Sequence, residues 1–228
     1  MLRAIIFDFD GVIVNSEPLI LELTQQMAAQ EGWTLSAEEY YHDYLALDDR
    51  GIVEQLFRSH GKQLDPARRD ELLQWKSAAY REAIRDGLPA MPGAVEFVQS
   101  CRRAGYPLAI ASGSLREEVE WLLGKLSLRE HFSAIATAED SQQSKPDPEV
   151  YLKALARVQR LEAFRKNALQ PAECLAIEDA PAGVRAAHAA GMKCLAFTHS
   201  QPPEALSHAD WIFRDFTGVN LKEIAKSY

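Results

Sequence analysis

The chain has 228 residues, 47% of them hydrophobic and 25% charged, the balance of an ordinary globular protein with enough length for a large core. Its net charge of −8 opposes nucleic acid and anionic membrane surfaces as partners, yet leaves room for a local cationic site that takes a small phosphorylated molecule. No apolar run reaches membrane-spanning length, and the scattered Cys101, Cys174 and Cys194 read as reduced thiols, so a cytoplasmic protein is expected, with monomer as the default state.

Leu2, Ala4, Ile5, Ile6 and Phe7 form an apolar run without polar alternation, the pattern of a strand buried on both faces. It breaks off at Asp8-Phe9-Asp10-Gly11, and with no basic preface it does not resemble a secretory signal. Residues two apart on a strand point the same way, so Asp8 and Asp10 can converge on one point, and Gly11 permits a turn after them. Two carboxylates at a buried strand end are costly to desolvate unless a cation meets them. A plain strand-to-turn junction is the alternative reading.

From residue 16 to residue 88 the pattern is helical. A first helix begins near Glu17-Pro18, carries Ile20, Leu23, Met27 and Ala28 at helical spacing, and stops at Gly32. A second runs through Ala37 to Leu45, and Asp48-Asp49-Arg50-Gly51 reads as a turn before the amphipathic Ile52, Leu56 and Phe57. Asp65-Pro66 opens a long helix bearing Leu72, Leu73, Tyr80, Ala83 and Ile84, ended by Asp86-Gly87. Residues 16–88 are thus expected to form a helical domain inserted into a core made of residues 1–15 and 89–228.

After Met91 strands and helices alternate. The order is a helix from Pro92-Gly93 to Ala104, a strand at Pro107 to Ala111, a helix at Leu115 to Lys125 and a strand at Phe132 to Ala136. Next come a helix from Asp147-Pro148 to Val158, a strand at Cys174 to Ile177, a helix at Pro181 to Ala190 and strands at Lys193 to Phe197 and Asp210 to Phe213. The tail from Val219 is helical, and Arg157 to Ala172 extends a helix or forms a surface loop. Such alternation predicts an α/β fold, a doubly wound parallel sheet, with the helical bundle inserted after its first strand.

Parallel sheets place ligands at the carboxyl ends of their strands, so the residues just past each strand matter most. Asp8 and Asp10 lie past the first, Ser112-Gly113-Ser114 past the second, Lys145-Pro146-Asp147-Pro148 past the third and Glu178-Asp179 past the fourth. Gathered together, Asp8, Asp10, Glu178 and Asp179 would repel unless a counter-ion joined them, and oxygen-only ligands select Mg²⁺. Each part has a plainer reading: Glu178-Asp179 as a helix N-terminal pair, Lys145 as a solvated loop lysine, Ser112 as a small strand-ending residue. Ser114 with Glu117 three positions on reads as a capping box and does not join the catalytic set.

Four ordered segments then resemble the haloacid dehalogenase superfamily, its β-phosphoglucomutase-like and phosphoglycolate-phosphatase-like branch. They are Asp8 to Glu17, Ala111 to Ser114, Lys145 to Tyr151 and Ile177 to Met192. The resemblance implies a Rossmann-like core with a helical cap after the first motif. It implies Asp8 as the nucleophile that becomes an aspartyl phosphate, Asp10 as general acid and then base, and Ser112 and Lys145 as holders of the phosphoryl oxygens. Mg²⁺ would be bound by Asp8, the Asp10 backbone carbonyl and Asp179, with Glu178 in support. Gly11 and Gly113, with Arg50 and Lys76 from the cap, are candidate substrate contacts.

The chain departs from the mutase pattern in two places. Pro18 to Glu22 lacks the histidine that such mutases carry on the first cap helix, and Ala46 stands where a glycine is common. Both favour hydrolysis. The expectation is a Mg²⁺-dependent phosphatase acting on a small phosphorylated metabolite, a sugar phosphate among the candidates. A phosphosugar mutase is the first alternative and a phospho-accepting signalling module the second. Arg50 reads equally as a surface residue pairing with Asp48 or Asp49.

Overall fold

In the computed structural model, which describes every residue except Ala46, six strands form one sheet. They are β1 (Ala4–Phe7), β2 (Leu108–Ala111), β3 (Phe132–Ala136), β4 (Cys174–Glu178), β5 (Lys193–Phe197) and β6 (Trp211–Phe213). Their order is β3-β2-β1-β4-β5-β6 and every pair is parallel. This is the doubly wound, Rossmann-like order, with its switch point at β1, where the order turns from β2 on one side to β4 on the other. Phe7 stands in register with Ile110 of β2 and Ile177 of β4. The residues just past β1, β2 and β4 therefore emerge at one edge.

The unbroken apolar strands divide their side chains by the two-residue period of a strand. Ile5, Phe7, Leu108, Ile110, Leu175, Ile177, Leu195 and Phe197 fill one face. Ala4, Ile6, Ala109, Ala111, Cys174, Ala176, Cys194 and Ala196 line the other. The bulky face packs against α5 (Ala94–Arg103) and α6 (Arg116–Lys125), with Phe97, Val98, Val119 and Leu122 in one cluster with it. The alanine-rich face is covered by α7 (Glu149–Gln159) and α8 (Pro181–Ala189) through Tyr151, Ala154, Leu155, Val184 and Ala187. Each fully buried Leu, Ile or Phe contributes about 1.5–3 kcal/mol. A short α9 (Leu221–Ala225) closes the chain.

Four helices separate β1 from α5: α1 (Glu17–Gln30), α2 (Ala37–Asp43), α3 (Asp49–Ser59) and α4 (Pro66–Ala83). Ile20, Leu23, Ile52, Leu56, Leu72 and Tyr80 bury their shared interior. Local caps set their starts. Ser36 and Glu39 form a capping box, and the Asp65 carboxylate accepts the Ala67 N–H at 2.8 Å. Asp48 to Gly51, expected to be a turn, is instead the cap and first turn of α3. The Asp48 carboxylate accepts the Gly51 N–H at 2.8 Å, which makes the same residues a helix start. Ala46, one of the two departures from the mutase pattern, lies outside the described residues. The Arg157 to Ala172 connection ends α7 at Gln159 and continues through two short 3₁₀ turns, Glu162–Phe164 and Pro171–Glu173. No described helix is long and apolar enough to cross a membrane.

Candidate active site

Asp8 directly follows β1, its N–H donating to Ile177 O of β4 at 2.8 Å. Its Oδ1 lies 2.8 Å from Lys145 Nζ, which also donates to Glu178 Oε1 at 2.7 Å. Tyr151 Oη donates to that same Oε1 at 2.6 Å, and all four side chains are buried. Asp179 joins them: one carboxylate oxygen each from Asp8, Glu178 and Asp179 lie within 4.8 Å of one another. The plainer readings of Lys145 as a solvated lysine and of Glu178 as a helix-end acid fail on this burial.

One ammonium touches two of these three carboxylates, and among the described residues the third, Asp179, has only the His199 ring as an ion-pair partner, at 3.5 Å. Burial, then the Glu178 charge, push Asp8 well above the usual carboxylate range despite Lys145. For Lys145 burial works the other way, but Asp8 and Glu178 outweigh it and hold the ammonium charged. Oxygen-only donors, packed closely and short of positive charge, are what a hard divalent cation takes, so these residues fit Mg²⁺. The backbone makes room for them. Gly11 has φ +69°, and a Cβ there would come within 2.2 Å of Asp179 Oδ2; one on Gly183 would come within 2.0 Å of Glu178 Cδ.

Asp10 completes the group from the loop after β1. Its carboxylate accepts from Ser16 Oγ at 2.5 Å, from Ser114 Oγ at 2.5 Å and, at 3.4 Å, from Ser112 Oγ. Ser112 is fully buried at the end of β2, and its Oγ accepts the Ser114 N–H at 2.9 Å.

Over residues 2–191 the chain matches the haloacid dehalogenase-like hydrolases. It belongs to that family. Among relatives of this hydrolase, hexitol phosphatase B of Escherichia coli (strain K12) is 29% identical over 221 residues, covering 97% of this chain and 93% of its own. Validoxylamine A 7'-phosphate phosphatase of Streptomyces hygroscopicus subsp. limoneus is 28% identical over 234 residues, the full length of both. The crystal structure of β-phosphoglucomutase from Clostridium difficile matches with a TM-score of 0.87 at 20% identity, covering 100% of this chain and 97% of that one, which shows the shared fold.

Beyond the strand ends, the inserted helices of the hydrolase contribute a further set of polar groups. A pocket lined by Asp8, Asp10, Gly113, Ser114, Lys145 and Asp179 continues to Glu17, Tyr40, Asp49, Lys76, Tyr80 and Glu118. Lys76 is buried and ion-paired with Asp49. Arg50 does not line this pocket: its guanidinium reaches the Ser141 carbonyl at 3.1 Å and stands 3.6 Å from Asp48, half exposed. It ties α3 to the loop after β3. The Asp48 half of its expected pairing is present. The reading of Ser114 as a cap is corrected, because α6 starts later: Leu115 N–H donates to Glu118 at 3.2 Å, freeing Ser114 Oγ for Asp10.

Several groups at the site escape the sequence reading. Tyr151 and Gly183 fall inside the recognised motifs, yet nothing in their spacing assigns them a role. Ser200, whose Oγ donates to Asp179 Oδ2 at 2.5 Å, comes after β5 and was open to the same strand-end rule. Glu17, which accepts from Tyr40 Oη at 3.0 Å, and Glu118 look from sequence like ordinary first-turn helix acids. Burial, with Asp179 and Asp10 nearby, pushes Glu17 up to about 8.

Glu118 gives a pH test. Burial first, then Asp49, push it up to about 7 against Lys76. The folded protein therefore binds this proton more tightly than the unfolded chain, where the group titrates at 4.5. Its contribution to stability is full below pH 4.5 and is lost as pH rises through about 7. Glu118→Gln is expected to melt with wild type at pH 4 and on the order of 5 °C above it at pH 8. Parallel melting curves across that range would show that burial leaves the titration of this group unchanged.

Proposed function

We propose that this hydrolase is a phosphatase that releases phosphate from a small phosphorylated metabolite through an aspartyl phosphate on Asp8. The observation that carries the reading is the buried Asp8 carboxylate held against the Lys145 ammonium beside Glu178 and Asp179. Phosphatases among the relatives support it. Asp8, the Asp10 carbonyl and Asp179 would hold Mg²⁺ with Glu178 in support, and bound there it offsets the negative charge of a phosphate entering an acidic site.

Asp8 attacks phosphorus while Asp10 protonates the departing alkoxide, so the P–O bond to the alcohol breaks as the one to Asp8 forms. Asp10 then takes a proton from water, and the resulting attack releases phosphate and restores Asp8. Lys145 and Ser112 hold the phosphoryl oxygens, with Gly11 and Gly113 lending close backbone approach. Residues 16–88 act as the cap. The void between cap and core is only about 40 Å³, room for roughly two or three waters, so substrate entry requires the cap to swing away. The helix α1 carries no histidine, which favours water over a sugar as the phosphate acceptor.

A phosphate-release assay over phosphorylated metabolites tests this. Many turnovers per enzyme are expected with Mg²⁺, falling by at least about a hundredfold in chelator. A single stoichiometric labelling without release would identify a phospho-accepting module. Isomerised sugar phosphate in place of free phosphate would identify a mutase.

A further inference from the structure

Two neighbouring residues past β5 reach to opposite parts of the molecule. Ser200 Oγ donates to Asp179 Oδ2 at 2.5 Å, and Gln201 donates its side-chain N–H to the Tyr41 carbonyl of α2. The first contact lies in the core, on an acid of the strand-end cluster. The second crosses to the inserted helices. Tyr41 stands in the last turn of α2, where helical N–H donors run out and an outside donor is readily taken. Its neighbour Tyr40 carries the hydroxyl that donates to Glu17 at the pocket wall.

The sheet order places this contact on one flank of the site. β5 lies two strands from β1 on one side, and β3 lies two strands away on the other. On the β3 side Arg50 holds the Ser141 carbonyl, so the inserted helices are fastened to loops on both flanks. The fastening on the β5 side is one residue removed from a bond to Asp179. The loop leaves the sheet after Thr198, whose N–H donates to Phe213 O at 3.0 Å, and beyond that bond Ser200 and Gln201 reach out with their side chains.

We propose that Ser200 is a positioning residue for Asp179 in cation binding, and that Gln201, fastening the same loop to α2, couples that binding to closure of the cap. This role rests on the magnesium and cap readings above. A hydroxyl on one carboxylate oxygen fixes the orientation of Asp179 and leaves lone pairs for a cation. With the cap closed, the Gln201 bond holds the loop in the pose that presents Ser200. When the cap swings away that bond is broken and the loop is released. Coupling of this kind is reciprocal: the gain in cation affinity on closure equals the gain in closure on cation binding.

The test titrates the intact chain with Mg²⁺ alone by calorimetry, and follows the cap by hydrogen exchange of the α2 amides with and without Mg²⁺. Ser200→Ala is expected to weaken Mg²⁺ binding by about tenfold, whereas Ser200→Thr, which keeps the hydroxyl, stays within about threefold of wild type. Gln201→Met keeps the length of the side chain and loses its donor. It is expected to weaken Mg²⁺ binding by about threefold, the effect of one net hydrogen bond. Mg²⁺ should slow α2 exchange in wild type and leave it unchanged in Gln201→Met. Wild-type affinity in Ser200→Ala, or a loss shared equally by Ser200→Thr, overturns the positioning role. Wild-type affinity in Gln201→Met, or α2 exchange in wild type indifferent to Mg²⁺, overturns the coupling. In each of these cases the magnesium reading stands. A wild-type chain that takes up no Mg²⁺ removes both.

Discussion

Asp8→Asn is expected to lower phosphate release by at least about a thousandfold while leaving a folded protein. The amide keeps the shape of the carboxylate but is a poor nucleophile and cannot carry the covalent phosphate. Stability should move the opposite way from activity. Folded Asp8 holds its proton more tightly than the unfolded chain, because burial and Glu178 disfavour its charge. Its stabilising contribution is present at acid pH and lost as pH rises above the ordinary aspartate value of 3.8. In metal-free protein Asp8→Asn escapes that loss, so its melting temperature at pH 7 should equal or exceed that of wild type, the difference shrinking towards pH 4. Asp10→Asn offers the contrast: it too should lose turnover, but with Asp8 intact it can still accept a phosphoryl group. Full turnover in Asp8→Asn would remove Asp8 from the mechanism.

Much of this site was legible from residue order alone, for a physical reason. Buried parallel strands are short apolar runs, and their ends are marked by the first polar residues, so Asp8, Ser112 and Glu178 announce the edge to which they are brought. The sheet of six parallel strands and the helical stretch after β1 arise from the same two periodicities. What the sequence hides is which polar residues of a helix turn inward. Glu118 and Glu17 have the sequence context of solvated acids, and only the packing of α1 and α6 around one pocket buries them. Arg50 shows the converse: its position invited a role at the substrate, but the Asp48 cap starts α3 early and turns the guanidinium to the loop after β3. One-residue shifts matter as much. The start of α6 at Arg116 makes Ser114 a partner of Asp10 in place of a cap.

Lys145→Ala should reverse the pattern set by Asp8→Asn and cost both turnover and stability. Among the described residues the ammonium is the single cation touching Asp8 and Glu178, at 2.8 and 2.7 Å, and both acids are buried. Removing one partner of a buried ion pair typically costs about 3–5 kcal/mol, because the other is left charged and unsolvated. In a chain of this length that is a fall in melting temperature on the order of 10 °C at pH 7. The wild-type lysine is held charged by the two carboxylates, its value raised, so its stabilisation persists across neutral pH and is lost only in strong alkali. In Lys145→Ala the cation that holds Asp8 down is gone, so burial and Glu178 push its carboxyl higher still. The deficit should therefore narrow steadily from pH 8 to pH 5, opposite to the alkaline loss expected of the wild-type pair. Lys145→Met, which restores the bulk but not the charge, should track Lys145→Ala in its pH dependence while recovering part of the packing. A Lys145→Ala protein that melts with wild type at pH 7 would mean that the lysine lends no net stability to the buried carboxylates it touches.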